Sequence, residues 1–241
     1  MVEAIQELEA MRWRFDEVWR RIDASARRAG RASDEVKLIA VSKTYPASVV
    51  REALKAGAKD FGENRVQEAE GKIEELKDAN PRWHLIGQLQ ANKARRAVKL
   101  FDCIHSIDSV ELVKRLERIC VEESREDLPV LVQINLAQEE TKGGASVEEL
   151  SEIVETLNGC ERLKLTGLMT LPPFYEDAER VRPFFRRLRE LRDKLAEQNA
   201  FKSGRGELSM GMSNDFELAI AEGATMVRVG TAIFGERTLV Q

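Results

Sequence analysis

The sequence predicts an α/β protein built as a closed (β/α)8 TIM barrel with an extra N-terminal helix. Three observations carry that reading. Short apolar runs alternate with amphipathic stretches from Val36 onward. Eight such runs fit between Val36 and Gly230, giving roughly 24 residues per βα unit, as such a barrel requires. No Pro- or Ser-rich linker divides the chain, so one domain is expected over 1–241, with residues 1–30 as a helix packed on the barrel. Strand count alone does not establish closure, and an open doubly wound sheet is the alternative architecture.

The leading segment, 2–29, sets Ile5, Leu8, Trp13, Phe15, Val18, Trp19 and Ile22 among charges. It reads as one long helix whose apolar face packs on the barrel exterior or its bottom; a partner-binding helix is the sharper alternative. Expected strands are 36–42, 59–62, 83–87, 103–107, 129–135, 163–170, 207–211 and 225–230. Expected helices between them lie near 46–56, 64–78, 90–99, 109–123, 146–158, 176–199 and 213–222. Pro46 opens a helix where its missing N–H costs little, and Asp108-Ser109 can cap another. Gly57 and Gly223 stand where helices stop.

Composition narrows the function. A net charge of −4 gives no general reason to expect nucleic acid, and the cluster Arg186-Arg187-Leu188-Arg189 reads as a solvated helix face. Cys103, Cys120 and Cys160 form no close pair, which argues against a disulfide framework or a zinc site and fits a reducing compartment. Glu3, Glu7 and Glu9 occupy the place of a signal peptide's basic region, and no apolar stretch approaches membrane length. A soluble cytoplasmic protein, with no nucleic-acid or membrane partner, is the expectation.

The chemistry starts at Lys43, which closes the apolar run Val36–Ser42 and precedes Thr44-Tyr45-Pro46. Such barrels place ligand sites at the carboxyl ends of their strands. An amine in a partly desolvated pocket loses its proton more easily and can form a Schiff base with an aldehyde. A lysine snorkelling to the surface is the plainer reading of this segment alone.

Closure would make the first and eighth strands neighbours. The eighth run ends in Gly230 and Thr231, where backbone N–H groups and a hydroxyl can approach an anion. The seventh ends in Ser209-Met210-Gly211-Met212-Ser213-Asn214, another Gly/Ser turn, although Ser213 or Asn214 could equally cap a helix. Loops after strands seven and eight form the common phosphate cradle of these barrels. A lysine able to form an imine beside such a cradle suggests pyridoxal 5'-phosphate (PLP).

Strand alternation turns Arg228 inward with Gly230. It then faces either the cofactor's ring nitrogen or a structural partner such as Glu63. Asn64 contacts the ring or its 3-hydroxyl, or caps a helix. His84 lines the cofactor's face or is a hydrogen-bonded interior histidine, while His105 has less claim to function. The loop 138–144 is a mobile-loop candidate without an assigned role.

Taken together, Ala40-Val41-Ser42-Lys43, Phe61-Gly62-Glu63-Asn64, Trp83-His84-Leu85-Ile86-Gly87 through Asn92-Lys93, Leu208 to Ser213, and Arg228 to Gly235 resemble the YggS/PROSC family of PLP homeostasis proteins. The motifs run in the family's order across essentially the whole chain. Leu85 stands where the family often has phenylalanine, and Asn214 where aspartate is common. The resemblance implies a fold-type III PLP barrel like the N-terminal domain of alanine racemase. It implies that Lys43 carries the internal aldimine, that Ser209, Ser213, Gly230 and Thr231 hold the phosphate, and that Arg228 faces the ring nitrogen. It implies binding, storage or delivery of PLP, with PLP-dependent apoenzymes as partners, and no defining catalytic activity. A monomer is expected.

An amino-acid racemase or weak transaminase is the alternative. Two-base racemisation needs a second acid/base opposite the lysine. Only Tyr45 and Tyr175 are available, and the chain runs six residues past Gly235, too few for the β domain that supplies this group in racemases. A cofactor-free barrel enzyme acting on a sugar phosphate is a third reading.

Overall fold

In a computed structural model, residues 2–137, 139, 143–202 and 204–235 are described, with the side chains of residues 2–8 outside that set. Of the expected loop 138–144, Gln138 and Glu140–Lys142 lie outside the described residues.

Eight parallel strands close into a barrel in sequence order: β1 (Lys37–Val41), β2 (Asp60–Glu63), β3 (Arg82–Leu85), β4 (Cys103–Ile107), β5 (Leu128–Gln133), β6 (Leu163–Met169), β7 (Glu207–Ser209) and β8 (Met226–Val229). Closure is made by β1 against β8, with Ile39 opposite Arg228 and Ala40 opposite Val229. The open-sheet alternative is therefore set aside.

The main core lies between barrel and helices, where Phe61, Phe101, Phe185 and Phe216 are fully buried. A smaller cluster, Ile39, Cys103, Leu131, Met169 and Met226, fills part of the barrel's interior. Both faces of each strand are thus covered, which is why the strands read as near-continuous apolar runs.

Helix α1 (Val2–Arg28) buries Met11, Phe15, Val18, Ile22 and Ala26, one stripe at helical spacing. It lies on the barrel's outer layer against α8 (Phe216–Ala221) and α9 (Thr231–Phe234). Arg14 Nε donates to the Ile233 carbonyl at 2.7 Å and Arg21 Nε to Glu217 at 2.7 Å. Trp13, expected on the apolar face, falls off that stripe and is 63% exposed.

The remaining long helices are α2 (Ala47–Lys55), α3 (Val66–Glu75), α4 (Ala94–Leu100), α5 (Val110–Glu122), α6 (Leu150–Asn158) and α7 (Arg182–Glu197). Several expected helices start late. The 176–199 segment begins as a 3-10 turn over Ala178–Val181, with Asp177 accepting from the Glu179 N–H at 3.1 Å. Ser109 caps α5 by accepting from Leu112 N–H. Helix α8 starts at Phe216 because Asp215 takes the Met212 N–H at 2.6 Å and folds 212–215 into a turn. Among the described residues no helix is long and apolar enough to cross a membrane.

Candidate functional site

A cavity of about 450 Å3 opens at the carboxyl ends of the strands, within the usual size of small-molecule sites. Six of the eight expected residues line it: Lys43, Asn64, Ser213, Arg228, Gly230 and Thr231. Gln133 and Gly143 also reach it, and Phe174, 72% exposed, stands at its rim.

Lys43 follows β1 on a tight turn in which Thr44 takes φ 71°, a conformation a β-branched residue adopts only when held there. The holding groups come from β2 and α3. Ser42 Oγ donates to Glu63 Oε1 at 2.7 Å. Lys72 Nζ donates to Ser42 O at 2.8 Å, to Glu63 Oε1 at 2.7 Å and to Glu68 Oε1 at 3.3 Å. The Thr44 N–H donates to the same Glu68 carboxylate. Glu63 is therefore committed to Lys72 on the outer side of the sheet, and the expected alternative of an Arg228–Glu63 ion pair is corrected. Alternation explains it: Asp60 and Gly62 face inward, Phe61 and Glu63 outward. Burial raises the Glu63 carboxyl above its usual range, against the opposing pull of Lys72 and Ser42.

Asn64 lies in the bend after β2 and does not cap α3, whose first flanking residue is Arg65. Gly87 packs so closely that a Cβ there would meet Asn64 O at 2.3 Å. Only glycine lets these two strand ends converge.

On the opposite wall, Ser213 Oγ accepts from the N–H groups of Gly230 and Ala232, both at 3.3 Å. Seventh- and eighth-strand turns thus meet in one cradle. Gly211 takes φ +92°, and a Cβ there would lie 2.5 Å from the Ala219 Cβ, so this turn also depends on glycine. Tyr45 packs its ring 5.0 Å from Phe234 and donates its hydroxyl to Gly235 O at 3.1 Å.

Arg228 is 2% exposed, with Nη1 donating to Ser209 Oγ at 2.6 Å and Nη2 to Thr170 O at 2.9 Å. Burial lowers its pKa to about 10, with Asp215 opposing the shift, so the guanidinium stays charged at neutral pH. The other two expected residues, Ser209 and His84, stand outside the cavity lining. Ser209 sits behind Arg228, and its Oγ is 2.9 Å from His105 Nδ1. His84 is deeper still, bonded to His105 and to Asp60. His84, Cys103 and His105 bring three ligand-type atoms within 4.8 Å. Burial pushes the Cys103 thiol up to about 12, and the two facing ring nitrogens already engage each other at 3.0 Å.

The assembled lining combines a primary amine, a buried guanidinium, a carboxamide and a hydroxyl–amide cradle. That donor set fits a phosphorylated aldehyde with an acceptor nitrogen at its far side. Sequence reasoning missed Asp215, Thr170 and the Glu63–Lys72 pair: Thr170 acts through its main-chain carbonyl on Arg228, 58 residues away, and Asp215 and Lys72 act by holding turns beside the cavity.

Residues 16–238 match the family model described as "Alanine racemase, N-terminal domain". A curated relative, the pyridoxal phosphate homeostasis protein of Aquifex aeolicus, is 46% identical over 224 residues, covering 93% of this chain and 97% of its own. PipY of Synechococcus elongatus PCC7942, solved with PLP bound, superposes with a TM-score of 0.77 at 43% identity, covering 83% of this chain and 93% of its own. Alanine racemase from Corynebacterium glutamicum shares the fold alone: TM-score 0.64 at 19% identity, over 93% of this chain and 62% of its own. With relatives this similar over nearly its full length, the chain belongs to the pyridoxal phosphate homeostasis protein family.

Proposed function

We propose that this protein binds PLP through Lys43 and serves its homeostasis, by storing the cofactor or delivering it to PLP-dependent apoenzymes. The observation that carries the reading is one cavity shared by the strand-end amine of β1 and the Arg228–Thr231 segment of β8. The names of the relatives, and the PLP in the PipY structure, support it. When bound, the cofactor supplies an aldehyde for reversible carbon–nitrogen bond formation and an aromatic ring able to draw electrons.

In this reading Lys43 would provide the amine that holds the cofactor's aldehyde. Ser213, Gly230 and Thr231 hold the phosphate, and Asn64 orients the ring or its 3-hydroxyl. Arg228 would face the ring nitrogen and, remaining charged, would leave that nitrogen without a proton, which would weaken electron withdrawal. Of the two tyrosines, Tyr175 stacks on Phe184 outside the lining, while Tyr45 lines the cavity two residues after Lys43 and gives its hydroxyl proton to Gly235 O, which disfavours it as a second base. A single-domain, monomeric, cytoplasmic cofactor handler, without robust turnover of its own, is the corresponding picture.

Borohydride reduction of the PLP-loaded protein, digestion and mass analysis should find the adduct on the peptide containing Lys43. The Lys43→Ala protein should lose the visible absorption band and keep its melting temperature. An adduct on Lys37 or Lys93 instead, or none, refutes the assignment. Rapid exchange of an amino acid's α-hydrogen with solvent deuterium would favour the enzyme reading.

A further inference from the structure

Arg228 lines the cavity while only 2% exposed, and its support runs across the barrel interior. From β8 the contacts pass to Ser209 on β7 (2.6 Å), His105 on β4 (2.9 Å), His84 on β3 (3.0 Å) and Asp60 on β2 (2.9 Å). Arg82, exposed at the barrel's lower end, closes the series by donating to Asp60 Oδ2 at 2.8 Å. We infer that Ser209, His105, His84 and Asp60 form a one-way hydrogen-bond relay that positions Arg228 and is anchored at its far end on a buried carboxylate. This deepens the proposed function and rests on it insofar as Arg228 meets the ring nitrogen.

The direction follows from donor counting. A guanidinium only donates, so Ser209 Oγ accepts from Arg228. Ser209 is fully buried, and its one proton has His105 Nδ1 as the acceptor in reach. His105 therefore carries its proton on Nε2 and gives it to His84 Nδ1. His84 in turn carries its proton on Nε2 and gives it to Asp60 Oδ1. Both rings are then neutral Nε2–H tautomers and every proton has an acceptor.

The reverse polarity would make His84 an imidazolium and leave the Ser209 hydroxyl proton without a partner, in a layer already facing the cations Arg228, Lys37 and Arg82. Asp60, Glu207 and Asp102 are carboxylates near this layer, and Asp215 acts on Arg228 from the cavity side. Burial works against the Asp60 charge, yet the hydrogen bond from His84 and the charge of Arg82 help hold the carboxyl below its usual range. His105 is held well below the ordinary imidazole range, by burial first, with the cations Arg228 and Lys37 adding to it.

The relay solves a problem that a direct ion pair would create. A carboxylate against Arg228 would consume the N–H groups needed in the cavity. With Asp60 set three side chains away, where it pairs with Arg82, the relay holds Arg228 through a neutral hydroxyl, and the guanidinium still lines the cavity.

The chain has only two histidines, so nitrogen NMR of histidine-labelled wild-type protein shows two imidazole systems, assigned with His84→Gln and His105→Gln. Both should be neutral Nε2–H tautomers near neutral pH. An Nδ1–H tautomer at either ring, or an imidazolium at His84, overturns the relay. Titration with PLP then tests positioning. Ser209→Ala and Asp60→Asn should each weaken affinity about tenfold, the scale of a hydrogen bond to a charged group, and shift the visible absorption while the Lys43 adduct still forms. Ser209→Thr, which keeps the hydroxyl, should recover the wild-type spectrum. Unchanged affinity and spectrum in both variants would refute the positioning role. No adduct in wild-type protein would remove the cofactor reading and the positioning role together, leaving the tautomers to decide the relay's direction alone.

Discussion

Lys72→Met tests the anchoring of the Lys43 turn. The ammonium is 8% exposed and joins the Ser42 carbonyl, Glu63 and Glu68. Removing it leaves the Glu63 carboxylate, with no exposed surface and Oε2 already unpartnered, as a buried charge held only by the Ser42 hydroxyl. Breaking such a pair costs about 3–5 kcal/mol, a large share of the 5–15 kcal/mol typical of a domain. Glu63→Gln combined with Lys72→Met removes the orphaned charge and should recover about half of that loss. Urea unfolding of the three variants against wild type measures both quantities.

The pH dependence has a defined sign. Glu63 is an acid whose folded pKa is raised by burial, and Lys72 opposes the shift. Without Lys72 the upward shift grows. The folded state then binds the Glu63 proton at pH values where the unfolded chain has released it. The deficit of Lys72→Met is therefore full above the raised folded value, shrinks as pH falls through it, and is smallest below the ordinary 4.5. A cost within about 0.5 kcal/mol, as for a surface lysine, or a deficit that grows toward acid, would refute the account of this turn.

Gly211→Ala forces a methyl group to within 2.5 Å of Ala219 Cβ and 2.9 Å of Phe216 Cα at φ +92°; a loss of about 1–3 kcal/mol is expected, and an unchanged melting temperature would contradict it. On α1, Phe15→Ala should cost about 3–5 kcal/mol, because Phe15 is buried at 4% exposure. Trp13→Ala should stay within about 0.5 kcal/mol by chemical denaturation.

The barrel was legible because strand and helix periods are local. The expected 103–107 strand and Cys103–Ile107 coincide, and the expected edges of β1 and β6 fall within a residue of those observed. The inward aim of Arg228 was likewise readable from alternation. Depth along the barrel was not. His84 and Ser209 face inward as alternation requires, but the stagger between strands, which no single strand encodes, sets them below the cavity. Glu63 was a different case. One position from the inward Gly62, it had to face outward, so its pairing with a helix was implicit in the strand pattern.

The same inward polar residues also constrain how the barrel closes. Ile39 opposite Arg228 brings the end of β1 beside Gly230 and Thr231, so one pairing joins the lysine wall to the cradle. Because side chains alternate, a one-residue slip of β8 would turn Arg228 outward and Val229 inward. The consequence would not stay local. Ser209, His105, His84 and Asp60 each occupy an inward position on their own strands, and each bond requires its neighbour's register to be correct. Slippage on any of these strands strands a buried polar group, with a penalty of several kcal/mol where a charge loses its partner. An apolar interior of equal volume would tolerate the wrong register far more readily. The polar column through the barrel therefore selects the one closure that sets Lys43 and Arg228 at the same cavity.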